Sequence, residues 1–115
     1  MVRLWKAFLN TLAGLRWGIR YETALREEFI ALLLGVPASF FVATTIAWWL
    51  ALVGSLFILV VVELLNTAIE KLSDHVTPQH HQAIKVVKDL GSAAVFFALV
   101  LAILVWACGL FVRVV

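Results

Sequence analysis

Two stretches without a single charge decide what this chain can become: Phe29 to Val62, 34 residues, and Leu90 to Val112, 23 residues. A helix needs about 20 apolar residues to cross roughly 30 Å of hydrocarbon. The second stretch is therefore one span. The first is too long for one upright helix, and Ala43-Thr44-Thr45 is its least hydrophobic part. It reads as two helices joined by a very short turn, with Ile46, Trp48 and Trp49 anchoring the interface beyond it. Pro37 in the first of these and Gly54-Ser55 in the second are places where a helix can kink. Of 115 residues, 64% are hydrophobic and 14% charged, where a soluble globule has about a quarter charged. That scarcity of polar residues excludes disorder, and the length excludes a standard Rossmann enzyme, a TIM barrel and a complete protein kinase domain. A single all-α integral-membrane domain is expected over residues 1–115, with spans at about 28–43, 46–72 and 90–113 and a loop at 73–89.

The basic residues set the topology. Arg3, Lys6, Arg16, Arg20 and Arg26 precede the first span, none lies in the 43–46 turn, Lys71, Lys85 and Lys88 flank or occupy the 73–89 loop, and Arg113 ends the last span. The positive-inside rule then puts the N-terminus and the 73–89 loop in the cytoplasm. A net charge of +2 is too weak to suggest a nucleic-acid partner. Residues 1–26 do not read as a signal peptide, because no unbroken apolar core follows the basic start. Instead Leu4, Phe8, Leu12, Leu15 and Ile19 fall within about 80° of a helical wheel, opposite Arg3, Lys6, Asn10, Arg16 and Arg20. This pattern suits a helix lying in the cytoplasmic interface, its cations toward anionic headgroups.

Glu63 is the costly residue. It follows nine uncharged residues, Gly54 to Val62, within the second span, where an acidic group costs about 3 kcal/mol to insert. Asn66, Glu70 and Asp74 follow at i+3, i+7 and i+11, within about 80° of one another on the wheel, so one stripe of the helix stays polar for three turns. Such a stripe faces other helices, water or ions, not lipid. Glu70, nearer the cytoplasm, can reach water, Mg²⁺ and phosphate; Glu63, roughly 10 Å deeper, would meet the headgroup end of a lipid. A structural carboxylate, paired to a base or capped by Asn66, is the bland alternative. Lys88, Asp89 and Ser92 occupy one turn at the start of the third span, and a lysine beside carboxylates suits a polyphosphate held with a divalent cation. Gly91-Ser92-Ala93-Ala94 permits close helix packing. Glu22 and Arg26 are either an i,i+4 ion pair or include a further cation ligand.

Other features are weak. His75, His80 and His81 have no cysteine near them, so a zinc site is a poor fit, and Cys108 is alone in an apolar run. There is no phosphate-binding P-loop, dinucleotide fingerprint or nucleophile elbow. On residues alone three classes stay open: a membrane phosphotransferase, a small oligomeric proton-coupled transporter with Glu63 as its site, and a structural subunit whose polar stripe specifies assembly.

Glu63-Leu-Leu-Asn66-Thr67-Ala68-Ile69-Glu70-Lys-Leu-Ser-Asp74 resembles the signature of the prokaryotic integral-membrane diacylglycerol kinases. Lys88-Asp89-Leu90-Gly91-Ser92-Ala93-Ala94-Val95 resembles that family's second block and Glu22-x-Ala24-x-Arg26-x-Glu28 its first, in order and spacing from Arg3 to Trp106. The undecaprenol kinases of the same family are similar too, but usually have Ala-Ala-Gly-Ala where this chain has Gly91-Ser92-Ala93-Ala94. The resemblance implies three transmembrane helices plus an amphipathic surface helix per subunit, a homotrimer with shared active sites, and a multi-pass place in the bacterial inner membrane. It implies ATP-dependent phosphorylation of the primary hydroxyl of diacylglycerol, with Glu63 as general base and Mg²⁺ on Glu22 and Glu70. Nucleotide contacts would come from Arg3, Asn10, Glu22, Glu70, Gln79, His80, His81, Lys88 and Asp89. Arg3, Glu28, Glu63, Ser92 and Trp106 would meet the lipid, and Asn66 and Asp74 would support the carboxylates. Asn10 departs from the family, which commonly has an aromatic there.

Overall fold

The computed structural model describes residues 1–77 and 79–115; Pro78, placed by the sequence in the cytoplasmic loop, lies outside them. The chain forms four helices: α1 Val2–Tyr21, α2 Thr23–Val42, α3 Ile46–Val76 and α4 Gln82–Val114. The break between α1 and α2 falls at Glu22, whose backbone is extended (φ −118, ψ 115). The expected surface helix therefore ends at Tyr21, not at residue 26. Arg26 explains the early stop: its Nε donates to the Ile19 carbonyl at 3.0 Å and its Nη2 to the Arg20 carbonyl at 3.1 Å, satisfying acceptors that the end of α1 leaves open. Leu25, 1% exposed, packs against the bare backbone of Gly18 and closes the corner.

The short turn comes where the apolar run is weakest, at Ala43–Thr45, and Thr45 starts α3 by accepting the Trp48 N–H at 3.1 Å. The loop is shorter than the expected 73–89: α3 runs to Val76 and α4 starts at Gln82, with His81 Nδ1 accepting the Ala83 N–H at 3.2 Å. Hydropathy marks where hydrocarbon ends, whereas backbone hydrogen bonding continues through polar residues that favour a helix. At 31 and 33 residues, α3 and α4 are about 46 and 50 Å long, well beyond a 30 Å hydrocarbon layer. The surplus carries Glu70, Asp74, Lys85 and Asp89 on helical turns that project from the apolar run.

α3 lies in the middle, with α2 along one flank and α4 along the other, and α2 and α4 scarcely meet. The result is a flat body of 53 × 40 × 22 Å with a radius of gyration of 16.8 Å, where a compact chain of this length has about 13 Å. Among the described residues two helices, α3 and α4, are long and apolar enough to cross a membrane; the charges of Arg26, Glu27 and Glu28 crowd the first turns of α2. Only 17% of the apolar window of α4 is buried, so it is no core helix of a soluble globule. Several polar groups inside the layer are met internally. Ser39 Oγ donates to the Val36 carbonyl at 2.5 Å, Ser55 Oγ to the Leu52 carbonyl at 2.8 Å, and the Trp106 indole N–H to the same carbonyl at 3.2 Å.

Candidate active site

The polar stripe faces inward at Glu63, Asn66 and Glu70 and opens to solvent at Asp74. Glu63 is 7% exposed and Asn66 9%, with Thr67 and Ser73 also buried on α3, although Leu65, Ile69 and Leu72 on the other side of the helix are open. The inward face meets the N-terminal turns of α2 and the start of α4. There the carboxylates of Glu70 and Glu22 act on Glu63, and Glu63 acts on Glu28. Four acids, Glu22 at the α1–α2 break, Glu28 of α2, and Glu63 and Glu70 of α3, thus lie near enough to act on one another by charge at one end of the apolar layer.

Each acid has a distinct setting. Asn66 Nδ2 donates to Glu70 Oε1 at 3.3 Å, so Asn66 braces Glu70 and not Glu63. The other side of the Asn66 amide, Oδ1, is buried against Gly91 of α4 and has no hydrogen-bond partner; Glu28 Oε2 is likewise buried without one. Glu22 does not pair with Arg26, which is committed to the α1 carbonyls; its Oε1 lies 3.0 Å from Lys71 Nζ. Lys71 is the residue that sequence reasoning missed. Its partner lies 49 positions earlier across a helix break, and no local spacing signals such a contact.

The nucleotide candidates form a second group. Gln79, His80, His81, Lys88 and Asp89, joined by Lys85, line a surface cavity of about 230 Å³ where α3 ends and α4 begins. Pockets that enclose a small ligand run from roughly 300 to 1,000 Å³, so this cavity alone is small for a nucleotide. Lys88 pairs with Asp74 across the two helices at 2.5 Å, and Asp89 with Lys85 along α4 at 2.6 Å. The Lys88 hydrogen bond holds the Asp74 carboxyl below the usual carboxylate range. A carboxylate with a depressed value stabilises the fold above its unfolded pKa, about 3.9, and loses that contribution as pH falls through the lowered one. The protection of backbone amides at the end of α3 and the start of α4, taken relative to the intrinsic exchange rate at each pH, is therefore expected to carry a constant contribution from Asp74 between pH 5 and 8. Asp74→Asn is expected to lower that protection across the whole range.

Other sequence candidates stand apart. Arg3 and Asn10 are exposed on α1, about 28 and 18 Å along the helix axis from Glu22. Ser92 is exposed beside Gly91 on α4. Trp106 bonds to Leu52, which lies 11 residues, about 16 Å, from Glu63 along α3, and it lines an apolar groove with Gly35, Leu56 and Ala102.

Residues 9–110 match the sequence profile of prokaryotic diacylglycerol kinase. The chain belongs to the prokaryotic diacylglycerol kinase family. Relatives similar along nearly their full length include the diacylglycerol kinase of Escherichia coli (strain K12), 34% identical over 104 residues that cover 90% of this chain and 85% of the relative. That of Haemophilus influenzae is 36% identical over 102 residues, 88% and 86% of the two chains. That of Pseudomonas aeruginosa is 32% identical over 105 residues, 91% and 85%. The matched region of this family member contains Glu22, Glu28, Glu63, Asn66, Glu70, Asp74, Lys88 and Asp89 together.

The donor set of this kinase-family chain suits a divalent cation of the Mg²⁺ type. That ion is commonly held by one or two carboxylates plus substrate phosphates and keeps several waters. The described residues include no cage of three or more acidic, histidine or cysteine side chains; they offer two half-buried carboxylates, Glu22 and Glu70, each near enough to Glu63 to act on it by charge. An acidic group with orphaned oxygens on Glu28 and Asn66 fits added positive charge.

Proposed function

We propose that this protein is an ATP-dependent lipid kinase. It transfers the γ-phosphoryl group of ATP to the primary hydroxyl of diacylglycerol at the cytoplasmic face of a bacterial inner membrane, giving phosphatidic acid and ADP. The observation that carries the reading is the placement of Glu63. A carboxylate buried at the end of an apolar layer, with acids two and three turns outward and a cavity lined by Lys88 beyond them, meets a lipid alcohol from one side and a polyphosphate from the other.

Each residue then has a task. Glu63 accepts the hydroxyl proton as the lipid oxygen bonds to the γ-phosphorus and the bond to the β–γ bridging oxygen breaks. Glu22 and Glu70 hold Mg²⁺, which when bound offsets negative charge on the phosphates. Asn66 keeps Glu70 in place. Lys88 exchanges Asp74 for the transferring phosphoryl group, and Asp89, Gln79, His80 and His81 hold the remainder of the nucleotide. Glu28 and Ser92 face the glycerol end of the lipid, and the groove at Trp106 takes acyl chain. Phosphoryl transfer depends on positioning and electrostatics more than on covalent chemistry, so a small helical layer suffices.

The reading includes three transmembrane helices, α2 to α4, with α1 on the cytoplasmic surface and three copies sharing their sites. Two features support it. Arg3 and Asn10 stand too far along α1 to serve their own Glu22, and large apolar side chains such as Phe41, 77% exposed, Leu33, 72%, and Phe97, 70%, need lipid or another copy against them. The test is transfer from labelled ATP in mixed micelles to diacylglycerol, undecaprenol and ceramide side by side. Diacylglycerol is expected to be preferred by at least about tenfold, a difference of roughly 1.4 kcal/mol at the transition state. Equal or faster transfer to undecaprenol overturns the substrate assignment, and no transfer to any of them overturns the enzyme.

A further inference from the structure

Lys71 belongs to no part of the mechanism above, yet it touches three segments at once. From α3 its ammonium reaches Glu22 at the α1–α2 break, 3.0 Å from Oε1. It also lies over the Trp17 ring of α1, 5.5 Å from the centroid. Among the described residues it is the one cation in ion-pair contact with any of the four converging acids: Lys85 and Lys88 are paired with Asp89 and Asp74, and Arg26 is spent on the α1 carbonyls. The Glu22 side chain is 23% exposed and that of Lys71 53%, so the carboxylate is sheltered and the lysine sits on its solvent side.

We propose that Lys71 is a resident counter-ion for Glu22, which holds the carboxylate ready and competes with the divalent cation for it. The inference rests on the reading of Glu22 as a metal carboxylate. Two properties suit a placeholder. A half-exposed ion pair is weak, so a divalent ion arriving with a triphosphate displaces it. The displaced ammonium has somewhere to remain, over the Trp17 face, where an aromatic ring attracts a cation without competing for Glu22. Removing the acid-neutralising lysine outright would instead leave Glu22, Glu63 and Glu70 to repel one another. Lys71 thereby tunes how much metal the site takes before nucleotide binds.

The experiment measures Mn²⁺ binding by electron paramagnetic resonance to full-length protein in detergent micelles, without nucleotide and at fixed salt. Lys71→Met is expected to bind Mn²⁺ about two- to fivefold more tightly than wild type, the range set by the strength of such a pair. Lys71→Arg keeps the charge and adds a forked donor matched to a carboxylate, so its Mn²⁺ affinity is expected to equal or fall below that of wild type. Lys6→Met, which removes the same charge about 24 Å along α1 from Glu22, is expected to leave Mn²⁺ binding within about twofold. Unchanged or weaker binding in Lys71→Met overturns the proposal. An equal gain in Lys6→Met also overturns it, because net charge and not competition would then set the affinity. Glu22→Gln separates the two layers: if that variant binds Mn²⁺ like wild type, Glu22 is no metal ligand, and the underlying reading falls along with the role of Lys71.

Discussion

Glu63→Gln is expected to lower turnover by about 10²- to 10⁴-fold while nucleotide affinity stays within a few-fold of wild type, the signature of a lost general base. The substitution keeps the volume and hydrogen-bonding capacity of the side chain and removes its basicity. The proposed nucleotide contacts other than Glu22 and Glu70 lie elsewhere, on the helical turns beyond Asp74 and around Lys88, so binding has little reason to change. Stability is expected to move the opposite way. Glu63 is buried beside Glu70, Glu22 and Glu28, and the described residues give it no cation in contact. Neutralising it relieves like-charge repulsion in a half-dehydrated setting, so the Gln variant should melt at or above the wild-type temperature. A structural role for Glu63 makes the contrary prediction, since loss of a structural carboxylate lowers the melting temperature and the assembled fraction together. Near-normal turnover in a well-folded Glu63→Gln protein would take Glu63 out of the chemistry. A kcat loss with unchanged KM for ATP would place its effect in the transition state.

The trade between stability and activity also explains what could be read from the sequence and what could not. Charge-free runs located the apolar layer, because a charge in hydrocarbon is expensive enough to leave a plain gap in the sequence. The Glu63–Asn66–Glu70–Asp74 stripe was legible for the same reason: polar residues at helical spacing next to such a gap need a shared cause. Helix ends were less legible. The break at Glu22 depends on Arg26 reaching back to two carbonyls, and charged residues lie on both sides of it, Arg20 before and Arg26 to Glu28 after, so no change of pattern marks it. The loop shrank from 73–89 to the few residues between Val76 and Gln82 because polar sequence can be helical. Pairings across helices were the least legible. Asp74 with Lys88, and Glu22 with Lys71, become neighbours only once α3 and α4 lie antiparallel and α2 folds back along α3. Local spacing instead suggested Glu22 with Arg26, a pair the structure does not form.

Gly91→Ala is expected to lower activity about ten- to a hundredfold although Gly91 touches neither proposed substrate. A Cβ at Gly91 would run into Asn66 Oδ1 and come within 3.2 Å of Asn66 Cγ. The amide has little freedom to avoid it. Asn66 is 9% exposed, and its Nδ2 is fixed by donating to Glu70 Oε1, so the opposite oxygen must face α4. Either α4 moves off α3 or Asn66 swings away and releases Glu70. Forcing one methyl into such a contact costs about 1–3 kcal/mol, and a shift of about 1 Å in a positioning group can cost 10²-fold in rate. The double variant Asn66→Ala with Gly91→Ala separates the two consequences. Removing the amide makes room for the new methyl, so the melting temperature should recover most of its loss. Glu70 is left without its brace, so activity should not recover. That non-additivity is the mark of residues acting on one another through contact. If activity returns with stability, Asn66 serves only to fill space between α3 and α4. If Gly91→Ala alone retains full turnover, the close approach of the two helices at Asn66 is not what keeps Glu70 in position.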